Sequence, residues 1–413
     1  MNFVSLVLVA ITGAYIGLNE YREAVDLSSG PGPTETAAFP EGFARPEILP
    51  DIYYIILDDY AREDILNDLY GFDNSEFLDY LENKGFYIAR NSRSNYAQTL
   101  LSLGSSLNLR YHDYPSGDSA NTADDRIPLP ATLKSNQAEG FLRRYGYELV
   151  AFPTGYLPTE RKNAELYLKP ALYLNEFQNT LINTTFAATL MKRLGIYIIY
   201  DIHRNLILNI FERLGHIPRR EGPVFVFAHI ISPHPPFVFG KHGERVNKKS
   251  TVYLSDGSHY MKLEGETPKD YVAKYSDQLK YVNSRLREVI DIILSDSSRR
   301  SIIILQADHG PGSGLNWDDP GDTDLEERLS ILNAFYFPDR DYSKLYDEIT
   351  PVNTFRLIFA RFFGADYELL KDESYFSTMA RPYDFIDIGK KVKSKEIFRS
   401  MDPGKSDIPQ SPE

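Results

Sequence analysis

At 413 residues, 42% of them hydrophobic and 25% charged, the chain can bury a large core, which excludes a disordered or fibrous protein. Its 58 acidic against 45 basic residues, a net charge of -13, argue against nucleic acid as a partner. Cysteine is absent, so disulfide frameworks, thiolate metal sites and cysteine nucleophiles are excluded.

The uncharged run from Asn2 to Leu18 lies near the short limit of about 17 to 25 residues for a membrane-spanning helix. Nothing basic precedes it, unlike a secretory signal, so residues 1–20 read as a transmembrane or anchoring helix. Residues 21–50 read as a linker, because Leu27 to Pro50 is rich in Pro, Gly, Ser and Thr. A body at residues 51–389 and a charged, Pro- and Ser-bearing tail at 390–413 complete the chain.

Within the body, DIYYIIL (Asp51 to Leu57) predicts a buried strand, and SEFLDYLENKG (Ser75 to Gly85) a helix with a serine start and a glycine stop. FYIAR (Phe86 to Arg90) follows as a strand. SNYAQTLLSLGSSLN (Ser94 to Asn108) passes from a polar turn into a helix near Thr99. The Thr99 hydroxyl either caps that helix or acts as a nucleophile.

Further strands are expected at Tyr147 to Phe152, Pro223 to Ile230, Ser301 to Ala307 and Ile331 to Phe337, with a long helix over Val272 to Asp296. Thr184 to Leu214 carries apolar residues at helical spacing with Lys192, Arg193, Arg204 and Arg213 interspersed. That pattern fits helices packed on a sheet, or helices lying on a bilayer surface. Strands alternating with helices predict an α/β fold with a mainly parallel central sheet and helices on both faces.

Ligands of open α/β sheets bind beyond the carboxyl ends of strands. There the chain places Asp58 and Asp59 after the first strand, His229 and His234 around the end of PVFVFAHI, and Asp308 and His309 after SIIILQA. Each alone has a plainer reading: an aspartate after a strand caps a helix, and His229 suits a hydrogen-bonded core position. Together with Thr99 they form an oxygen- and nitrogen-rich set suited to one divalent ion, Mn²⁺ first, with Mg²⁺, Zn²⁺ or Ca²⁺ as alternatives. The run GPGSG after His309 lacks the Gly-Lys-Ser/Thr of a phosphate loop. Arg93, Asn95, Asn316 and Trp317 are the candidate substrate contacts.

A strand ending in Asp, then S-x-Y-x-x-T-x-x-S, then a strand followed by H-x-P, then a strand ending in A-D-H-G resembles the alkaline phosphatase superfamily. The likeness is to its sulfatase-like membrane branch, which includes lipoteichoic acid synthases and phosphoethanolamine transferases. The resemblance implies Asp58, Thr99, Asp308 and His309 as metal ligands, Thr99 also as nucleophile, and His234 as a substrate contact and catalytic group. Asp59 corresponds to a ligand in soluble sulfatases, whereas membrane transferases commonly lack it. In sulfatases proper the nucleophile is a formylglycine made from Cys or Ser in a C/S-x-P-x-R signature. Here Thr99, Leu101 and Leu103 stand at those three places, and threonine cannot become formylglycine.

The expectation is a metal-dependent phosphotransferase or phosphodiesterase acting on a phospholipid headgroup or cell-envelope phosphoester, anchored with its catalytic domain outside the cytoplasmic membrane. A phosphatase or atypical sulfatase of a soluble ester, and a catalytically silent binding protein of the same fold, are the alternatives. Oligomeric state is not readable.

Overall fold

The computed structural model describes residues 49–112, 128–170, 193, 198–246, 254–296 and 300–388. The stretch 1–20, residues 21–48 of the linker, residue 389 at the end of the body and the tail at 390–413, with the membrane and anchoring expectations attached to the first of them, lie outside these residues. Among the described residues no helix is long and apolar enough to cross a membrane.

The described strands are β1 (Asp51–Leu57), β2 (Tyr87–Ile88), β3 (Glu148–Ala151), β4 (Leu166–Tyr167), β5 (Val224–Ile230), β6 (Ser301–Gln306), β7 (Asn333–Tyr336), β8 (Tyr375–Phe376) and β9 (Ile386–Asp387). The first seven form one sheet in the order β2-β7-β6-β1-β5-β3-β4, and β8 pairs with β9 separately. Within the large sheet β6, β1, β5, β3 and β4 are parallel, while β7 runs antiparallel to both its neighbours.

The helices are α1 (Glu63–Asp68), α2 (Ser75–Lys84), α3 (Thr99–Asn108), α4 (Pro128–Lys134), α5 (Gln137–Arg144), α6 (Ile198–Leu214), α7 (Gly257–Glu264), α8 (Pro268–Ser295), α9 (Leu325–Leu329) and α10 (Thr354–Phe363). A strand covered on both faces reads as an unbroken apolar run, and β1 shows why. Tyr53, Ile55 and Leu57 join the cluster containing α2, α6 and α8, whereas Ile52, Tyr54 and Ile56 join the opposite cluster with α3, α5 and α10.

Most predicted elements keep their place, with ends that differ for local reasons. Helix α8 starts at Pro268 rather than Val272, because Thr267 and Asp270 form a capping box around a proline in the first turn. Helix α2 ends where Gly85 takes a left-handed φ of 86°. In the Thr184 to Leu214 region, α6 buries Tyr200, Ile207, Ile210, Phe211 and Leu214 in the core, so this helix packs on the sheet. Its predicted predecessor lies largely outside the described residues.

Registry sets up the site. Ile56 of β1 aligns with His229 of β5 on one side and Gln306 of β6 on the other. The chain therefore leaves all three central strands at one edge.

Candidate active site

Asp58 and Asp59 emerge from β1 at this edge, both buried. Asp59 adopts a positive φ of 68°, a region that aspartate tolerates better than most non-glycine residues. From β6 the chain continues as Ala307, Asp308, His309 and Gly310. The Gly310 N–H donates to the Arg328 carbonyl at 2.7 Å, and a Cβ on Gly310 would lie 2.1 Å from the Glu327 carbonyl oxygen, so only glycine fits. From β5 comes the turn carrying His234, whose N–H donates to the Asp58 carbonyl at 3.0 Å.

Thr99 is the first residue of α3, behind a Gln98 N-cap that makes no side-chain cap bond. Its Oγ1 lies 2.9 Å from His309 Nε2. The hydroxyl therefore faces across the cleft instead of capping its own helix. His309 Nε2 also lies 3.2 Å from Asp308 Oδ2 and 3.7 Å from Asp58 Oδ1. His229 is fully buried between Asp58 Oδ2 at 3.2 Å and Thr159 Oγ1 at 3.0 Å.

Polar atoms sealed from water normally find partners. Here Asp58 Oδ1, Asp59 Oδ2 and both Asp308 oxygens are buried with no hydrogen-bond donor among the described residues. Donor atoms of Asp58, Asp59 and His309 cluster tightly enough to hold an ion, as do those of Asp58, His229 and Asp308, and those of Asp59, His234 and Asp256. A divalent cation would satisfy these orphaned oxygens.

The charges divide unevenly. Burial opposes ionisation of Asp58, yet the imidazoles of His234, His229 and His309 hold it below the ordinary carboxylate range. Burial first, then the Asp58 charge, raises Asp308 well above that range. Asp59 is raised likewise by burial and by Asp256, against the pull of Arg328. Burial and the Arg328 guanidinium push His309 down to about 3, which keeps its ring neutral.

Sequence reading missed a second set of residues. Arg328, almost wholly buried, donates from Nη1 to Asp59 Oδ1 at 3.0 Å, Asp256 Oδ2 at 2.5 Å and the Gly310 carbonyl at 2.8 Å. Its Nε donates to the Ala97 carbonyl at 2.9 Å, two residues before Thr99, and its guanidinium lies 5.0 Å over the Trp317 ring. Tyr271 donates to Asp256 Oδ1 at 2.7 Å. The adjacent Glu327 faces the loop behind His309: it accepts from the backbone N–H groups of Ser313 and Gly314 at 3.0 and 2.7 Å and from the Tyr70 hydroxyl at 2.5 Å.

Asp58, Thr99, His234, His309 and Trp317 line one cleft with Asp256 and Arg328. Arg93, Asn95 and Asn316 are placed elsewhere. Arg93 pairs with Glu326 at 2.8 Å. Asn95 ties Thr350, Glu373 and Val352 together, and Asn316 donates to Asp322. Local sequence placed them near Thr99 and His309, but the side chains of Arg93 and Asn95 turn to partners far along the chain, and that of Asn316 to a partner in its own loop.

The family model described as Sulfatase matches residues 50–357. No curated protein sequence matches the chain. Among solved structures, the C-terminal periplasmic domain of EcEptC from Escherichia coli in complex with Zn is 11% identical. The match covers 84% of this chain and 95% of that one, with a TM-score of 0.51. The C-terminal periplasmic domain of phosphoethanolamine transferase EptC from Campylobacter jejuni is 15% identical over 78% and 92% of the two chains, with a TM-score of 0.49. The phosphonate monoester hydrolase of Agrobacterium radiobacter is 13% identical over 83% and 82%, with a TM-score of 0.48.

Proposed function

The chain belongs to the sulfatase family, enzymes that transfer or hydrolyse sulfate and phosphate esters, and from that premise we propose a metal-dependent phosphotransferase or phosphodiesterase with Thr99 as its nucleophile. One observation carries this reading: the Thr99 hydroxyl, 2.9 Å from His309 Nε2, opens into a cleft it shares with Asp58 and His309. Asp58, Thr99, Asp308 and His309 would hold one divalent ion, Mn²⁺ in first place. Such an ion lowers the pKa of a bound hydroxyl and polarises a phosphoryl oxygen.

The chain's own contribution follows from position. Thr99 sits in the first turn of α3, where the helix dipole favours negative charge on its oxygen. Thr99 Oγ1 gives up its proton to solvent and attacks phosphorus, forming an oxygen–phosphorus bond and breaking the ester bond to the first alcohol. His234, on the cleft wall, supplies the proton to that leaving oxygen. A second alcohol, or water, then takes the phosphoryl group from the threonine, whose oxygen regains a proton. Threonine at this position speaks against the formylglycine route to sulfate esters.

The wall also includes Leu254, Tyr156 and Met379. Met379 is 39% exposed, and Leu157, next to Tyr156 in the chain, is 45% exposed. Exposed apolar side chains at a polar cleft favour a substrate with an apolar part next to its phosphoester, a phospholipid above all. We place the domain outside the cytoplasmic membrane, with residues 1–20 as its anchor.

The test is turnover of a fluorescent phospholipid and a chromogenic phosphodiester after chelation and after return of Mn²⁺, Mg²⁺, Zn²⁺ or Ca²⁺, with and without an added alcohol. Metal-dependent, alcohol-dependent product and a phosphoryl adduct on the Thr99 peptide after acid quench are expected. Turnover of a sulfate ester with none of the phosphodiester would overturn the assignment.

A further inference from the structure

Between the start of α2, the middle of α8 and the turn after Phe239 lies a pocket of about 640 Å³. It shares no lining residue with the catalytic cleft, and its volume is that of a small-molecule site.

The walls supply donors. Lys241 and Lys280 line the pocket from exposed positions, and neither has a carboxylate within ion-pair distance among the described residues. Asn74 and Asn283, also in the lining, are buried at 3% and 8% exposure. A side-chain amide carries two N–H groups. Asn74 spends one on the Tyr60 hydroxyl at 3.1 Å, and Asn283 spends one on Asn74 Oδ1 at 2.8 Å. The Tyr60 hydroxyl in turn donates to Asn283 Oδ1 at 2.8 Å, which sets the orientation of that amide. One N–H on each asparagine is left without an acceptor among the described residues.

The carboxylates of the pocket are already engaged. Glu76 pairs with Arg287 and Glu288 with Arg285, while Asp73 accepts from the Ser75 N–H at 2.9 Å. Even so, Nε of both arginines is buried with no acceptor among the described residues. Phe72 and Tyr281 add apolar surface, and the Tyr281 ring is held against Phe239 with centroids 4.6 Å apart. Uncommitted donors and positive charge beside aromatic rings suit an anion that carries an apolar part.

We propose that this pocket binds a small organic phosphate. Its phosphoryl oxygens accept from Lys241, Lys280 and the spare N–H groups of Asn74 and Asn283, and its flat or apolar part packs on Phe72 and Tyr281. The site is separate from the catalytic one and does not depend on the metal-dependent reading above.

The experiment is isothermal titration calorimetry of the full chain, freed of metal on a chelating resin, with phenyl phosphate and with inorganic phosphate. Without an ion the catalytic cleft presents buried carboxylates, which repel a phosphate. One phenyl phosphate per chain is expected, with inorganic phosphate about tenfold weaker because it lacks the ring. Tyr281→Ala should narrow that gap. Lys241→Glu combined with Lys280→Glu should weaken both probes about tenfold or more, whereas Lys269→Glu, exposed on the same helix outside the pocket, should leave them unchanged.

Absence of saturable binding overturns the proposal. So does unaltered affinity in the double variant, or an equal loss in Lys269→Glu, which is the signature of diffuse charge. Equal affinity for the two probes removes the apolar contact and overturns it as written. Should the double variant melt at a lower Tm, Lys280→Gln alone still decides, with an expected loss of up to about fivefold.

Discussion

The two sides of His309 solve the same electrostatic problem in opposite ways. On the Nε2 side, Asp58 Oδ1 and both Asp308 oxygens are buried without hydrogen-bond donors among the described residues. On the Nδ1 side, Asp59 and Asp256 are equally buried, and although Asp59 Oδ2 also lacks a donor among the described residues, Arg328 bridges Asp59 Oδ1 and Asp256 Oδ2 at 3.0 and 2.5 Å and Tyr271 adds a donor to Asp256. Burial without a partner is costly for a charge. One side therefore carries its own cation, while the other is arranged to receive one, and the hydroxyl of Thr99 lies on the receiving side.

Several substitutions would break or sharpen this contrast. The largest effect is expected at Thr99. If it is the nucleophile, Thr99→Ala lowers kcat by about a thousandfold or more with little change in Tm, since loss of the attacking group removes the covalent route. Thr99→Ser keeps part of the activity. Steady-state kinetics beside calorimetry checks this, and a near wild-type rate for Thr99→Ala would move the search to water as the attacking group.

Next in size is Arg328→Met, which leaves Asp59 and Asp256 facing each other without their cation. A loss of about 3–5 kcal/mol is expected on breaking a buried pair of this kind. Urea unfolding of metal-free protein reads it, and a loss below about 1 kcal/mol would mean that the self-contained side does not depend on its arginine.

Glu327, on the neighbouring position of α9, is raised to about 7 by burial and then by Asp324. Its folded pKa exceeds the ordinary 4.5, so the native state holds a proton that the unfolded chain has released. This stability is fully present below about 4.5 and is lost as pH rises through about 7. The wild type should lose on the order of 3 kcal/mol more than Glu327→Gln between pH 4.5 and 8. Parallel pH slopes for the two proteins would show that Glu327 stays ionised in the fold.

The smallest effect, and the sharpest in sign, concerns Asp308. Because burial and Asp58 raise its carboxyl, metal-free Asp308→Asn should be as stable as metal-free wild type at pH 8, or up to about 2 kcal/mol more stable. With saturating Mn²⁺ the order should reverse. A variant less stable without metal would show that Asp308 has a partner in the fold other than an ion.

The chain itself displays one half of this contrast and conceals the other. Asp58, Asp308 and His309 were legible because they directly follow uninterrupted apolar runs, and such runs become central strands whose ends must meet at one edge. Thr99 was legible for a similar reason, as a lone hydroxyl between a polar turn and a helix. Nothing local marks Asp256, which precedes the short helix α7, or Arg328, inside the one-turn helix α9, since a buried arginine and a solvent-facing one look alike in sequence. Arg93 and Asn95 misled for the converse reason, being polar neighbours of Thr99 whose partners lie far along the chain at Glu326, Thr350 and Glu373.

Periodicity and burial of short segments are properties of neighbouring residues, so the parallel sheet, its covering helices and the strand-end carboxylates follow from the sequence alone. Which carboxylate meets a cation and which is left open depends on contacts such as Arg328 to Asp59, 269 positions apart. Only the packed chain brings those charges within hydrogen-bond reach, because Coulomb energy and desolvation depend on distance in space. Tertiary structure therefore decided that Asp59 faces Nδ1 of His309, and that Asp58 and Thr99 share the open side of its ring.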